Sequence, residues 1–194
     1  MESIETLTTE EAKLLAQKLK IKKLEFSVQE QSQKNFLPFV RNVWPEFKEG
    51  KHHKIIAKKF EDIASGKLKR LIINMPPRHT KSEFASFLFP AWFVGQKPKA
   101  KIMQTTHTGE LAIRFGPDSM AAGRWETSQG GEYFAAGTGG AVTGRGADLL
   151  IIDDPHSEQD ALSDTALDSA YEWYTSGPRQ RLQPGGAIVI VMTR

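Results

Sequence analysis

The sequence predicts an α/β fold, in which a mainly parallel sheet is flanked by helices and preceded by an N-terminal helical arm. From Lys69 onward, short apolar runs typical of strands alternate with stretches typical of helices. The runs cover residues 71–74, 101–105, 149–153 and 187–192. They are almost continuously apolar, which is typical of parallel strands buried on both faces. Elements that alternate in this way pack as helices on a parallel sheet.

Length and composition limit the chain to one substantial core. A chain of 194 residues with 39% hydrophobic content can bury one such core together with a small appendage. We therefore expect a helical arm over residues 1–50 and a main domain over residues 51–194. No apolar run approaches the roughly 20 residues that cross a bilayer, so no membrane is expected as a partner.

Three helices are expected ahead of the first strand. Residues 8–26 carry apolar positions at helical spacing among charges, which predicts an amphipathic helix outside the core. A second helix is expected over 28–42, because Trp44 precedes a proline and is pushed out of the α region. A third is expected over 51–65, ending at Gly66.

Cysteine usage and net charge limit the kinds of metal site and partner that the chain can have. The chain has no cysteine, which excludes disulfides and thiolate metal sites, so any metal is expected to be a hard cation held by oxygen atoms. The N-terminus lacks the features of a signal peptide, which favours a cytoplasm. The net charge of +3 is compatible with nucleic acid, although lysine-rich stretches are more often solvated helix faces.

The segment after the first predicted strand has the character of a phosphate-binding loop. It reads PPRHTKS over residues 76–82 and leads into a predicted helix from Glu83 to about Phe93. A loop between a strand and a helix N-terminus presents backbone N–H groups to phosphate. Lys81 is expected to reach the β and γ phosphates of ATP, and the Ser82 hydroxyl to ligate Mg²⁺. The predicted nucleotide-binding residues are Pro77, Arg78, His79, Thr80, Lys81 and Ser82, with a capping role as the alternative for His79.

This loop departs from the usual G-x-x-x-x-G-K-[ST] pattern. Met75 and Thr80 occupy both glycine positions. Glycine adopts positive φ at no steric cost, so Thr80 loses backbone freedom if its position needs positive φ.

A second motif supplies carboxylates. Four apolar residues, 149–152, lead into Asp153, Asp154 and Pro155. A buried strand that ends in this way projects a carboxylate toward the phosphate loop, which makes Asp153 the predicted Mg²⁺ ligand. Asp154 is the predicted catalytic base that orients the attacking water, with a surface turn residue or helix cap as the alternative. Glu158 is the reserve base.

The last predicted strand closes in Met192, Thr193 and Arg194. A polar residue at the end of a strand beside the phosphate loop can sense the γ-phosphate, and Thr193 is predicted to do so. Doubly wound sheets bind ligands beyond the carboxyl ends of their strands. Three phosphate-related features at three strand ends therefore predict a nucleotide triphosphatase of the P-loop type.

Two arginines are candidates for stabilising charge in the transition state. Arg78, inside the loop, is placed to act on its own subunit's nucleotide. Arg145 lies in the glycine-rich stretch 137–146, from which it either reaches a neighbouring subunit's nucleotide or forms a surface charge. The glycines are also explained by a tight turn between two strands.

Conspicuous aromatic and histidine residues are given structural interpretations. The expected core residues of the helix after the loop are Phe87, Phe89, Trp92 and Phe93. Core packing is also favoured over a partner groove for Tyr171, Trp173 and Tyr174. His52 and His53 are not expected to bind a metal as a pair, because adjacent residues on a helix point in different directions.

Taken together, residues 76–82, 143–155 and 191–194 resemble the phage terminase large-subunit family, and the likeness extends over about residues 28–194. The resemblance implies a P-loop ATPase domain of the ASCE/RecA-like kind, which translocates double-stranded DNA into a prohead. In that family a Mg²⁺-dependent nuclease domain follows. The chain ends at the coupling strand, so no nuclease activity is expected from it.

The resemblance also implies roles for individual residues. Lys81 and Ser82 correspond to the phosphate-loop pair, Asp153 and Asp154 to the Mg²⁺ aspartate and the catalytic acid, and Thr193 to the coupling motif. Adenine contacts are implied near residues 44–53. The implied cofactors are ATP and Mg²⁺. The implied partners are double-stranded DNA, the portal protein and the terminase small subunit, in a homo-oligomeric ring in the host cytoplasm.

The sequence departs from the family in two further places. Thr80 replaces the glycine before the lysine, and the interval around Gly116 and Pro117 looks short, as though part of a helical region were missing. Two alternatives therefore stay open beside the packaging motor. One is a helicase-like translocase core, and the other is a non-catalytic remnant that binds DNA or partners.

Overall fold

A computed structural model of the protein describes residues 9–107, 123–142 and 144–193. The chain divides into two compact units, Met1–Gly50 and Lys51–Arg194. In the described residues, the smaller unit contains two helices and the larger one carries the sheet. No helix in this described part of the chain is long and apolar enough to span a membrane.

The smaller unit contains α1 (Thr9–Lys34) and α2 (Phe36–Val43). The predicted helix break near residue 27 is wrong, because α1 contains neither glycine nor proline to end it earlier. The break falls instead at Asn35, whose backbone is extended at φ −131° and ψ 140°. As predicted, α2 ends directly before Trp44, the residue that precedes a proline.

The two helices of this unit differ in their burial. In α1, the side chains of Leu15, Leu19 and Leu24 are exposed. In α2, Phe36 and Val40 are fully buried. The short second helix therefore contributes buried apolar surface, whereas these three leucines of the first helix lie in solvent.

The described part of the larger unit is built on a six-stranded sheet in the order β1-β6-β5-β2-β4-β3. In chain order the strands are β1 (Arg70–Met75), β2 (Lys101–Thr106), β3 (Arg124–Glu126), β4 (Glu132–Gly137), β5 (Ala147–Asp153) and β6 (Leu182–Thr193). Neighbouring strands are parallel except β3 and β4, which are antiparallel. The predicted α/β class, with a mainly parallel sheet flanked by helices, is confirmed.

In the described part of the larger unit, one helix precedes the first strand and two others lie between strands. α3 (Lys51–Ala64) precedes β1, α4 (Phe89–Gln96) lies between β1 and β2 in the chain, and α5 (Asp164–Ser176) lies between β5 and β6. Short 3-10 turns at Asp160–Leu162 and Pro178–Arg181 flank α5. Ser163 caps α5, since its hydroxyl accepts a hydrogen bond from the N–H of Ala166.

The helix that follows the 76–82 loop begins with a widened turn. Residues Glu83–Leu88 are π-helical, and the N–H of Phe89 donates to the carbonyl of Phe84, five residues earlier. The helix then continues as α4, past the predicted end near Phe93, to Gln96.

The core forms where the two central strands meet the helices. Leu149, Leu150 and Ile151 of β5 are fully buried, as is Val189 of β6. Both faces of these strands are therefore covered, as their continuous apolar runs predict. On the helical side, the ring of Phe89 stacks on Phe60 of α3 with centroids 4.1 Å apart.

The aromatic residues were predicted only in part. Phe89, Trp92 and Phe93 are buried, but Phe87 is 51% exposed. Phe87 lies in the π-helical turn, where the angular spacing of side chains differs from that of an α-helix, so the helical pattern misplaced it. The core assignment is also wrong for Tyr171, which is 64% exposed, whereas Trp173 and Tyr174 pack partly buried against the core.

Two strands escaped the sequence analysis. β3 has only three residues, and β4 is rich in alanine and glycine, which are depleted in strands. β6 also begins earlier than predicted, at Leu182, and its start pairs with Ala147 across an irregular register. The interval around Gly116 and Pro117, where part of a helical region is expected to be missing, lies outside the described residues.

Candidate functional site

The carboxyl ends of β1, β6 and β5 lie side by side at one edge of the sheet. β6 separates the other two strands and runs parallel to both. Met75 at the end of β1 pairs with Thr193, and Asp153 at the end of β5 pairs with Val191. The loop 76–82, the two aspartates and Thr193 therefore leave the sheet at neighbouring positions.

The 76–82 loop contains two residues in the left-handed backbone region. Arg78 has φ 62° and Thr80 has φ 57°. Glycine is the usual residue in this region, because a Cβ atom there approaches the following carbonyl. Position 80 therefore has the conformation for which the sequence pattern prefers glycine, and Thr80 adopts it under strain.

Lys81 joins this loop to the end of β5. Lys81 is only 8% exposed, and its Nζ lies 2.9 Å from Oδ2 of Asp154. A buried ammonium group needs a partner, and Asp154 supplies it. The side chain of Asp154 is itself 31% exposed, so this ion pair faces solvent on the carboxylate side.

Asp153 is buried beside the same helix start. It is 4% exposed and accepts two hydroxyl hydrogen bonds, one from Ser82 at 3.1 Å and one from Ser86 at 2.7 Å. The sequence predicts Asp153 and Ser82 as ligands of one Mg²⁺ ion but does not assign a role to Ser86. The signal was present, because residues four apart on a helix share a face.

The electrostatics of Asp153 reflect competing effects. Burial raises the pKa of the carboxyl group, the hydrogen bonds from Ser86 and Ser82 lower it, the negative charge of Asp154 raises it and the positive charge of Lys81 lowers it. Burial dominates, so the pKa of Asp153 lies above its ordinary value. A desolvated carboxylate of this kind gains strongly when a cation binds it.

Asp154 is fixed to the last strand. Its backbone is left-handed, with φ 42°, and its N–H donates to the carbonyl of Val191. Its carboxylate accepts hydrogen bonds from the N–H of Thr193 at 2.6 Å and from the Thr193 hydroxyl, which lies 3.0 Å from each carboxylate oxygen. The residue predicted as catalytic base and the residue predicted as sensor are therefore in direct contact.

The remaining predicted site residues are placed differently. Arg78 and His79 are exposed, and Nδ1 of His79 lies 2.9 Å from the carbonyl of Pro77 within the loop. Glu158, the reserve base, is also exposed.

Arg145 lies away from the aspartates. It precedes β5, and its guanidinium carbon lies 4.2 Å from the centroid of the Phe134 ring. The amino end of β5 is opposite to the edge at which Asp153 leaves the sheet. The structure of one chain therefore does not bring Arg145 to the site, and a role on a neighbouring subunit's nucleotide stays a prediction.

Two histidines at the start of α3 contradict the sequence interpretation. His52 and His53 were expected to point apart, but their rings lie 3.8 Å apart between centroids and their Nε2 atoms are 2.9 Å apart. Nε2 of His53 also lies 2.7 Å from the Thr80 hydroxyl. Side-chain torsions, which periodicity does not constrain, bring both rings to the same side.

A buried polar pair near Asp153 was also missed. The Tyr133 hydroxyl donates to Oε1 of Gln104 at 2.8 Å, and both residues are fully or almost fully buried. Burial, followed by the negative charge of Asp153, raises the pKa of Tyr133, so the phenol stays protonated. The sequence carries little signal for this pair, because β2 reads KIMQTT and Gln104 is one of several polar residues in it.

The oxygen atoms around Asp153 fit a hard divalent cation such as Mg²⁺. The Asp153 carboxylate and the Ser82 hydroxyl are oxygen ligands within hydrogen-bonding distance of each other, at 3.1 Å. Among the residues that the structure describes, no group of three or more His, Cys, Asp or Glu side chains is arranged to hold a metal. Mg²⁺ commonly binds one or two protein carboxylates and completes its shell with phosphate and water oxygens.

Comparison of the sequence with models of known protein families and with curated proteins found no match. The class of the protein therefore rests on its own fold and site. It is an α/β protein with a six-stranded, mostly parallel sheet in the described residues. Lysine, serine, aspartate and threonine side chains meet at the carboxyl edge of this sheet.

Proposed function

We propose that residues 51–194 form an ATP-hydrolysing motor domain that moves double-stranded viral DNA into a prohead. The observation that carries the ATPase proposal is the paired contact across the sheet edge, Lys81 with Asp154 and Ser82 with Asp153. The proposal that the cargo is DNA rests on the resemblance to terminase large subunits. The portal protein, the small subunit and the ring assembly rest on the same resemblance.

Phosphate binding is assigned to the loop and the start of the helix. The helix N-terminus presents its positive dipole end to the β and γ phosphates, and Lys81 adds a full positive charge. In the structure this charge is paired with Asp154. Nucleotide binding therefore requires Lys81 to exchange a carboxylate for a phosphate, which releases Asp154 from its ion pair.

Ser82 and Asp153 are the residues that would hold Mg²⁺. When bound, the ion neutralises charge on the β and γ phosphates. Ser86 keeps the Asp153 carboxylate in one orientation through its 2.7 Å hydrogen bond. The low exposure of Asp153 excludes water from its far side, so its charge is available to the ion.

Asp154 then acts as the base. Once Lys81 has moved to phosphate, the partly exposed carboxylate is free to orient a water molecule and accept its proton. Thr193 is hydrogen-bonded to this carboxylate, so a movement of the Asp154 side chain also displaces the end of β6. Hydrolysis is in this way coupled to a movement of β6, the strand that ends at Thr193.

The first test is Mg²⁺-dependent ATP binding and single-turnover hydrolysis over a wide range of protein concentration. Wild type is compared with Lys81→Ala and with the matched control Lys99→Ala, an exposed lysine of the segment between α4 and β2. We expect binding and hydrolysis to disappear in Lys81→Ala and to persist in the control. A steep rise of the rate with concentration would indicate that a neighbouring subunit completes the site.

Two other outcomes would change the proposal. Absence of ATP binding in wild type would favour a non-catalytic remnant that binds DNA or partners. Hydrolysis accompanied by unwinding of a DNA duplex would favour a helicase-like translocase. DNA-stimulated hydrolysis without strand separation is the result expected of a packaging motor.

A further inference from the structure

Two histidines at the start of α3, His52 and His53, lie against the 76–82 loop and are not used by the proposed ATPase chemistry. His52 and His53 come from the first turn of α3, and His79 and Thr80 belong to the loop. The rings of His52 and His79 are 5.9 Å apart between centroids. The closest link is the 2.7 Å contact between Nε2 of His53 and the Thr80 hydroxyl.

The His53 imidazole is held firmly in place. The residue is 5% exposed, and its ring lies 4.7 Å from the ring of Phe84 between centroids. Phe84 is itself 1% exposed and belongs to the π-helical turn that follows the loop. A side chain packed in this way presents its Nε2 atom to the loop at a fixed position.

Thr80 is the residue of the loop that most needs support. It is β-branched and has φ 57°, a backbone region that β-branched residues rarely adopt. It also directly precedes Lys81, so its backbone conformation sets the direction in which the lysine enters the helix. With glycine at this position, neither the strain nor the hydroxyl would exist.

The single proton of the Thr80 hydroxyl decides which partner donates in the contact with His53. The Thr80 hydroxyl donates to the carbonyl of His79 at 2.6 Å, so it accepts from the N–H of His53 at Nε2. Nε2 of His52 lies 2.9 Å from the same His53 atom, which has a single proton, so His52 can only share that proton with Thr80 as a second acceptor. His53 therefore carries its proton on Nε2, and a donor at this point is the chemical requirement.

We propose that His53 is a positioning residue, which holds Thr80 and through it the phosphate-binding conformation of the loop. The inference rests on the proposed function, since it assigns to this contact the affinity of the loop for the phosphates of Mg·ATP. It also explains how threonine is accommodated at a position where the sequence pattern prefers glycine. His53 acts through Thr80 and not on the nucleotide.

The experiment is a double-mutant cycle read by isothermal titration calorimetry with ATP and Mg²⁺. A hydrogen bond of this kind corresponds to a change of roughly three- to tenfold in Kd, so we expect His53→Ala to weaken binding by about that factor. We expect His53→Gln, which keeps a donor near the same position, to restore most of the affinity. In a Thr80→Gly background, His53→Ala should change Kd by less than about twofold, because there is no hydroxyl to hold.

The outcomes separate this inference from the proposed function. If wild type binds Mg·ATP and His53→Ala weakens binding equally in both backgrounds, His53 acts on the nucleotide or on α3 directly, and the inference is overturned while the ATPase proposal stands. If wild type does not bind Mg·ATP, the proposed function fails and the inference fails with it.

If His53→Ala does not fold, the comparison of Thr80→Val with Thr80→Gly decides. We then expect the valine substitution to weaken binding more than the glycine substitution, and the reverse order would overturn the inference.

Discussion

Replacing Ser86 with alanine tests whether Asp153 is held as an ionised carboxylate by hydroxyl donors. Ser86 is 1% exposed, and its hydrogen bond to Asp153 is the shorter of the two, at 2.7 Å against 3.1 Å. Hydrogen bonds to charged groups contribute about 1.5–3 kcal/mol, and Asp153 is too buried for water to replace the donor. We therefore expect Ser86→Ala to lower the free energy of unfolding by about 1.5–3 kcal/mol at pH 8.

The pH dependence of this loss has a defined sign. Burial raises the pKa of Asp153 above its ordinary value of 3.8, and the Ser86 hydrogen bond opposes that rise. A raised pKa in the folded state contributes stability below the unfolded-state pKa, and this contribution is lost as the pH rises through the folded-state pKa. Without Ser86 the folded-state pKa rises further. The variant should therefore differ least from wild type at acidic pH and most at alkaline pH.

The assay is urea unfolding followed by tryptophan fluorescence, at pH 8 and at the lowest pH at which the fold persists. Ser86→Ala is measured in wild type and in an Asp153→Asn background, where the hydrogen bond becomes neutral and the expected loss falls to about 0.5–1.5 kcal/mol. Ser82→Ala is the matched control, because Ser82 is less buried and donates at the longer distance. Equal losses in both backgrounds and at both pH values would refute the reasoning and reduce Ser86 to a packing role.

Further predictions concern the base, the sensor and the core. Asp154→Asn should retain Mg·ATP binding but lose about 10²-fold or more in single-turnover hydrolysis, measured by rapid quench, and a loss under tenfold would argue against Asp154 as the base. Thr193→Val removes the hydroxyl bonds to Asp154, so we expect basal hydrolysis to survive while its stimulation by DNA is lost. Phe89→Ala should lower the free energy of unfolding by about 3–5 kcal/mol, since the ring is fully buried on Phe60. Phe87→Ala, at a 51% exposed position, should change it by only about 0.5 kcal/mol in the same urea titration.

The sequence predicted the parts of the site that strand ends determine. Parallel strands bring their carboxyl ends to one edge of the sheet. Residues that directly follow apolar runs therefore lie close together, however long the chain between them is. This rule placed Lys81 near Asp154, and Asp154 near Thr193. It predicted Ser82 and Asp153 as ligands of one Mg²⁺ ion, and in the structure a direct hydrogen bond joins them.

Features set by tertiary context were not predictable in this way. The lateral order of strands depends on long-range pairing, so the position of β6 between β1 and β5 was not visible in the sequence. β4 lacks the β-branched residues that mark a strand, and is held as one by pairing with β2. The contact of His53 with Thr80 depends on side-chain torsions and on a left-handed backbone, neither of which periodicity encodes.

The π-helical turn Glu83–Leu88 rotates the side-chain directions of the residues that follow it in the helix. Each residue of an α-helix advances the side-chain direction by about 100°, so one extra residue in a widened turn shifts everything beyond it by about that angle. Ahead of the end of this turn, Ser82 and Ser86 aim at Asp153, and beyond it, Phe89 and Phe93 aim at the core. A deletion of one residue within the turn would leave either the serines or the aromatic rings facing the wrong way. Because of the widened turn, one continuous helix directs its serines at Asp153 and its aromatic rings at the core. A regular α-helix of the same sequence would place these serines and aromatic residues on the same face.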